Sequence, residues 1–180
     1  MVKRAYPPGL QKKRRGGSPS AFKKSLEEKQ TLKKWYGLSE RQFKKYVKET
    51  LEKMGKVENV SAELIKRLEK RLDNVVFRLG FAKSRVQARQ LVSHGYFLIN
   101  GKPVNIPSYA VKKGDTVSIK EHKKQKGIFK DLSVRLKRKE TPVWLVLDKD
   151  KLEAKAIGEP NLEEVNPPAE ISLVFEFYSR

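Results

Sequence analysis

The sequence predicts an α+β protein, a run of amphipathic helices leading into two short helices packed on a small, mostly antiparallel sheet. Three observations carry this expectation. Apolar residues recur at helical spacing in successive stretches as far as residue 95. Those stretches are separated by serine caps and by single glycines, the usual punctuation of helix starts and ends. After them comes Asn100-Gly101, the strongest short hairpin signal, between Phe97–Ile99 and Val104.

In chain order, residues 1–19 hold Tyr6-Pro-Pro-Gly9 and the basic run Lys12, Lys13, Arg14, Arg15. Proline, glycine and dense charge cannot bury a core, so this arm is expected to be extended and to order on a polyanion. Residues 20–36 read as a helix with Phe22, Leu26, Lys29, Leu32, Trp35 and Tyr36 toward one side, ended by Gly37. Ser39, with Gln42 three positions on, caps a second helix whose apolar stripe is Phe43, Tyr46, Val47, Leu51 and Met54. Gly55 ends it. A third begins near Ser61 and uses Leu64, Ile65 and Leu68.

Leu72, Val75, Val76 and Leu79 then fall on one face of a short helix that stops at Gly80. Ser84 and Gln87 form a capping box for a helix over Arg85–His94, ended by Gly95. Asp73 is expected to cap the amides at its own helix start. Thr116–Lys120, with Val117 and Ile119 inward, follows a turn at Lys113-Gly114-Asp115. Residues 121–127 read as a polar loop and 128–137 as a helix with Phe129, Leu132 and Leu136 inward. Pro142–Leu147 reads as a buried strand, with 151–157 as its partner. At the C-terminus Ile171, Leu173, Phe175 and Phe177 alternate like a strand, but Asn166-Pro167 is a helix start signal.

The net charge is +20, and its distribution points to the partner. Residues 1–56 carry 17 Lys and Arg against 5 Asp and Glu, and residues 81–139 carry 15 against 3. Residues 140–180 reverse the balance, 4 against 9. A polyanion met by the first three quarters of the chain fits this asymmetry. No apolar run approaches the roughly 18 residues of a membrane span. The basic N-terminal stretch lacks the apolar core of a secretory signal. With no cysteine there is neither a disulfide nor a thiolate metal site, and two histidines, His94 and His122, give no metal cluster. No cofactor is expected. Phosphate-cradling glycine loops and nucleophile motifs are absent, so no catalytic residue is expected.

The helix at 85–94 shows Lys83, Arg85, Gln87, Arg89, Gln90 and His94 away from its apolar side. No acidic residue lies between Phe81 and Gly114, so local ion pairs cannot neutralise them. Arg85 and Arg89 are therefore expected to be exposed, on an anion-binding face.

The run Arg71-Leu-Asp-Asn-Val-Val-Phe-Arg-Leu-Gly-Phe81, with Ser84-Arg85, Ala88-Arg89-Gln90-Leu91-Val92, Gly95 and Asn100-Gly101-Lys102, resembles the S-four RNA-binding module. Val104-Asn-Ile-Pro-Ser-Tyr109, Tyr36-Gly37-Leu38, Glu40-Arg41-Gln42-Phe43 and the ending Glu176-Phe-Tyr-Ser-Arg180 resemble one branch of its carriers, the small-subunit ribosomal protein S-four family. The resemblance implies that the C-terminal segment is a helix on the N-terminal helical domain. That domain would then be residues 20–70 completed by 158–180, with an inserted RNA-binding domain at 71–157.

Membership would imply a structural, non-enzymatic component of the cytoplasmic small ribosomal subunit. It would bind small-subunit ribosomal RNA in the 5′ domain, nucleate assembly and support decoding accuracy. It would neighbour protein S-five and lie near messenger RNA where that enters the subunit. The RNA-binding residues expected on both grounds are Arg4, Tyr6, Lys12, Lys13, Arg14, Arg15, Arg71, Lys83, Ser84, Arg85, Arg89, Gln90, His94 and Lys102. Many family members carry a longer leader with four zinc-binding cysteines; this chain resembles the short form without it. The stretch Leu152–Pro168 matches the family weakly. A module-bearing modifying enzyme would need a large further domain that the acidic C-terminal quarter does not supply. A stand-alone module acting on stalled ribosomes or other structured RNA is the alternative.

Overall fold

The computed structural model describes residues 20–55 and 57–179; the basic arm, with Arg4, Tyr6 and Lys12–Arg15, lies outside them. Three helices come first, α1 (Ala21–Trp35), α2 (Glu40–Leu51) and α3 (Val60–Glu69). Ser20 caps α1 by accepting the Lys23 amide. The capping box of α2 forms as expected, Ser39 with Gln42. Leu32, Phe43, Val47, Leu64, Ile65 and Leu68 are fully buried in one apolar cluster. Val165, Ile171, Val174 and Phe175 from the C-terminal segment join the same cluster.

Next come α4 (Leu72–Arg78) and α5 (Arg85–Ser93), then β1 (Phe97–Ile99), β2 (Lys102–Val104) and β3 (Thr116–Ile119). Asn100 and Gly101 both take positive φ, 51° and 77°, as a two-residue hairpin requires. After a short α6 (Glu121–Lys124), a 3₁₀ turn and α7 (Leu132–Arg138), strands β4 (Leu145–Asp148) and β5 (Glu153–Ala156) complete a sheet of order β2-β1-β3-β5-β4. All its pairings are antiparallel, where a mixed sheet was allowed for. A second apolar cluster, running from Leu72 to Ala156, packs α4, α5 and α7 on this sheet.

Four local expectations are corrected. Residues 121–124 form α6 rather than loop. The stretch 142–147 is only partly buried: Trp144 and Leu145 are in the core, but Val143 is 81% exposed, and β4 is an edge strand with Val146 outward. Asn166 does not start a helix; at φ 39° it ends the short α8 (Leu162–Val165), after which α9 (Ile171–Ser179) begins. The alternation from Ile171 to Phe177 is nevertheless helical, because one side of α9 packs on α1 and α2. Met54, expected in the stripe of α2, lies past its end and is exposed.

Lys29 is only 4% exposed. Its ammonium lies 4.4 Å from the Phe177 ring centroid and 2.9 Å from Glu40 Oε1. The Tyr178 hydroxyl donates to the same oxygen at 2.6 Å, and Lys33 holds Oε2 at 2.9 Å. Burial alone would raise the Glu40 pKa, but these hydrogen bonds from Tyr178, Lys29 and Lys33 bring it to about 2. A depressed carboxylate stabilises above its unfolded pKa, and that contribution disappears as pH falls through the folded value. Glu40→Gln is therefore expected to lower Tm at neutral pH, with the gap to the parent closing between about pH 4.5 and pH 2. Thermal melts of both proteins across that window check it; a gap independent of pH would contradict the assignment.

Candidate nucleic-acid interface

The start of α4 is satisfied by backbone. The Leu72 amide donates to the Tyr109 carbonyl at 2.8 Å, and the Asp73 amide to the Pro107 carbonyl at 3.1 Å. The segment Val104–Tyr109 thus supplies the cap, and the Asp73 carboxylate is free for other work. Instead of capping, it accepts Arg71 (Nε to Oδ1 3.1 Å, Nη2 to Oδ2 2.7 Å) and Arg89 (Nε to Oδ2 2.9 Å). Arg71 also donates to the Tyr46 hydroxyl of α2 at 2.8 Å. Arg89 continues to the carbonyls of Gly37 and Tyr36 at the end of α1.

A second buried carboxylate lies alongside. Glu69, at the end of α3, is wholly inaccessible to solvent. It accepts the Tyr36 hydroxyl (2.8 Å), the Asn74 amide (2.7 Å) and both Arg78 Nη2 (2.8 Å) and Nε (2.9 Å). Burial and then the Glu69 charge push the Tyr36 hydroxyl pKa well above its ordinary value. Arg85 closes the chain: Nε donates to Asn74 Oδ1 at 2.8 Å, and the guanidinium lies over Trp35 at 4.2 Å and Phe77 at 4.6 Å. Burial lowers the Arg85 pKa. Two carboxylates thus tie helices α1, α2 and α3 to α4 and α5 through a polar seam between the two apolar clusters.

This seam corrects the expected exposure of the arginines. Arg71 is buried, Arg85 and Arg89 are half-buried, and all three point inward. Asp73, which holds both Arg71 and Arg89, lies two residues after the first and 16 before the second, and Asn74, which holds Arg85, lies 11 before it, on an element that no local rule pairs with α5. Charge reversal at Arg85 and Arg89 would therefore disturb the fold as well as any surface.

The outward side of α5 is composed differently. Ser84 Oγ accepts the Gln87 amide at 3.2 Å, and Gln87 Oε1 reaches back to the Lys83 amide at 2.6 Å, one residue beyond a standard capping box. Gly95 ends the helix at φ 66°. Val86, Gln90 and His94, at helical spacing, continue an exposed stripe that starts at Lys83 and Ser84. Lys102 is exposed on β2. Such a stripe offers one or two positive charges, hydrogen-bond donors and a small apolar contact, a set suited to phosphate and sugar oxygens.

Further cations border the seam. Between α2, α3 and the 107–110 segment lies a cleft of about 440 Å³, lined by Lys45, Tyr46, Arg67, Lys70, Arg71 and Ser108 among others. The guanidinium groups of Arg67 and Arg71 lie 5.6 and 5.5 Å from the Tyr46 ring centroid. Lys70 is engaged by Glu159 at 2.5 Å, and Arg67 by Glu49. Among the described residues no group of three or more metal-ligating side chains comes together, and no helix is long and apolar enough to cross a membrane.

The chain matches known families along much of its length. Residues 1–69 match the Ribosomal protein S4/S9 N-terminal domain, and residues 70–117 match the S4 domain. The small ribosomal subunit protein uS4 of Thermodesulfovibrio yellowstonii is 44% identical over 179 residues, 99% of this chain and 84% of that protein. The proteins of the same name from Halothermothrix orenii (43% over 178 residues, 99% and 84%) and Thermus thermophilus (42% over 180 residues, 100% and 85%) are similar to it throughout. The α4–α5–hairpin unit, the helices that clamp it and this full-length likeness place the chain in one family: it belongs to the small ribosomal subunit protein uS4 family.

Proposed function

We propose that the protein is a structural, non-enzymatic component of the small ribosomal subunit that binds small-subunit ribosomal RNA directly. The observation that carries this reading is the likeness to uS4 proteins over essentially the whole chain. A stand-alone module would share only the region around residues 70–117. The charge distribution agrees, with the cationic blocks at 1–56 and 81–139 facing RNA and the acidic C-terminal quarter facing elsewhere. The contacting set comprises Lys83, Ser84, Gln90, His94 and Lys102, together with Arg4, Tyr6 and Lys12–Arg15 of the arm. Arg71, Arg85 and Arg89 act mainly by holding the two halves in one orientation. Within the subunit the RNA partner is the folded 5′ domain, the protein neighbour is S-five, and messenger RNA passes nearby; the role extends to early assembly and decoding accuracy.

A titration against the folded 5′ domain, with an unrelated structured RNA of equal length as competitor, tests the reading. A protein with this charge binds both at low salt, so the ratio at physiological salt decides. A preference of about a thousandfold or more is expected, the usual floor for dedicated recognition. A ratio near one with a steep salt dependence would make the protein a generic polyanion binder.

A further inference from the structure

The turn between α4 and α5 meets the end of α7 at Gly80, where an added Cβ would stand 3.3 Å from Leu136 Cδ2 and 3.4 Å from Lys139 Cδ. Beside this contact opens a cleft of about 590 Å³, lined by Gly80, Ala82, Lys83, Arg135, Lys139 and Glu140. Its charge is out of balance. Among the described residues no carboxylate pairs with Lys83, Arg135 or Lys139, and Glu140 at the rim is exposed. Arg135 spends Nη2 on the Ile128 carbonyl at 3.4 Å, while its Nε and Nη1 are buried without an acceptor. Close by, Lys139 Nζ sits 4.0 Å from the Phe77 ring centroid, and Arg85 Nη2 on the same ring is also buried and unpartnered.

Buried donors are almost always satisfied, so the two unpartnered nitrogens of Arg135 at the cleft wall call for an acceptor that the chain does not supply. Burial, and then the charges of Arg78 and Arg85, lower the Lys139 pKa, as expected where like charges gather without an anion. Gly80 and Ala82, both buried, form its floor against α7. The acceptor must carry several oxygens, fit beside two cations and be negative, which describes a phosphate. Lys83 belongs both to this cleft and to the exposed stripe of α5, so a strand lying along that stripe reaches the cleft without leaving the surface.

We propose that the cleft between the α4–α5 turn and α7 holds one backbone phosphate of the bound RNA, gripped by Arg135 and Lys139 with Lys83 at its edge. This extends the RNA surface onto α7, beyond the residues that the two family models match. It rests on the RNA-binding reading above.

The full chain is compared with Arg135→Gln, Lys139→Gln and the double variant against the folded 5′ domain at several salt concentrations. Loss of one phosphate contact reduces the log–log salt slope by about one, so the double variant should lose that much, with roughly tenfold lower affinity at physiological salt. In parallel, inorganic phosphate is titrated into the parent protein while the Arg135 Nε–H resonance is followed by NMR. A saturable shift is expected that chloride at equal ionic strength does not reproduce. Folded variants with the parent slope and affinity would overturn the proposal. A phosphate-dependent shift with an unchanged RNA slope would overturn the RNA assignment, leaving a site for free anions. Should Arg135→Gln fail to fold, Lys139→Gln and the Arg135 resonance of the parent still decide. Loss of preference for the 5′ domain in the parent itself would instead reject the reading on which the cleft rests.

Discussion

Replacing Glu69 by alanine is expected to cost about 3–5 kcal/mol, the range for removing one partner of a buried ion pair. The Glu69 carboxylate has no solvent access and accepts four donors, from Tyr36, Asn74 and twice from Arg78. Its loss strands the Tyr36 hydroxyl in a dry seam, leaves the Asn74 amide only the backbone carbonyl of residue 69 at 3.3 Å, and leaves Arg78 without its carboxylate partner. Glu69→Gln should recover part of the loss, because the amide oxygen still accepts while its charge is gone. Urea unfolding with a two-state fit measures both. A Glu69→Ala cost under about 1 kcal/mol, as for an exposed pair, would mean that the seam contributes no more than a surface ion pair.

Arg89→Gln is the second large effect. The guanidinium joins Asp73 to the carbonyls of Tyr36 and Gly37, so one side chain spans α5, α4 and the end of α1. Glutamine is too short and uncharged to keep all three. With Arg89 partly solvated and Asp73 still held by Arg71, a loss of about 2–3 kcal/mol is expected, in the range for hydrogen bonds to charged groups. Because Arg89 and Asp73 share a contact, a double-mutant cycle between them should be non-additive, with a coupling of about 0.5–3 kcal/mol. Additive losses would mean that the pair does not interact in solution.

These two sites also mark where sequence reading stops. Ser39 with Gln42, Ser84 with Gln87, Gly80, Gly95 and Asn100-Gly101 act within a few residues of themselves, and each stands where local rules put it. The cations of α5 are different. The absence of acids between Phe81 and Gly114 is real, yet it decides only local pairing. Glu69 reaches Arg78, Asn74 reaches Arg85 and Asp73 reaches Arg89 because α3, α4 and α5 converge, which is tertiary information. Asp73 looked like a cap because it stands in a first turn, but the Pro107 and Tyr109 carbonyls had already taken that task. One clue was available: Glu69 and Asp73 stand four apart at the junction of two apolar stripes, where an unpaired carboxylate would be costly. Lys29 was placed on the apolar side of α1 by periodicity, and its burial shows the spacing to be informative even for a charged residue.

The division of the α5 cations into an internal clamp and an outer RNA surface is tested most directly by measuring stability and RNA salt slope together for Lys83→Gln and Arg89→Gln. Lys83 is exposed and without a carboxylate partner among the described residues, so its loss should leave Tm unchanged and lower the log–log slope by about one. Arg89→Gln should lower Tm clearly, and at a temperature where it remains folded its slope should stay close to that of the parent. The opposite pattern, a stable Arg89→Gln with a reduced slope beside a Lys83→Gln indistinguishable from the parent, would contradict the division and return Arg89 to the RNA surface.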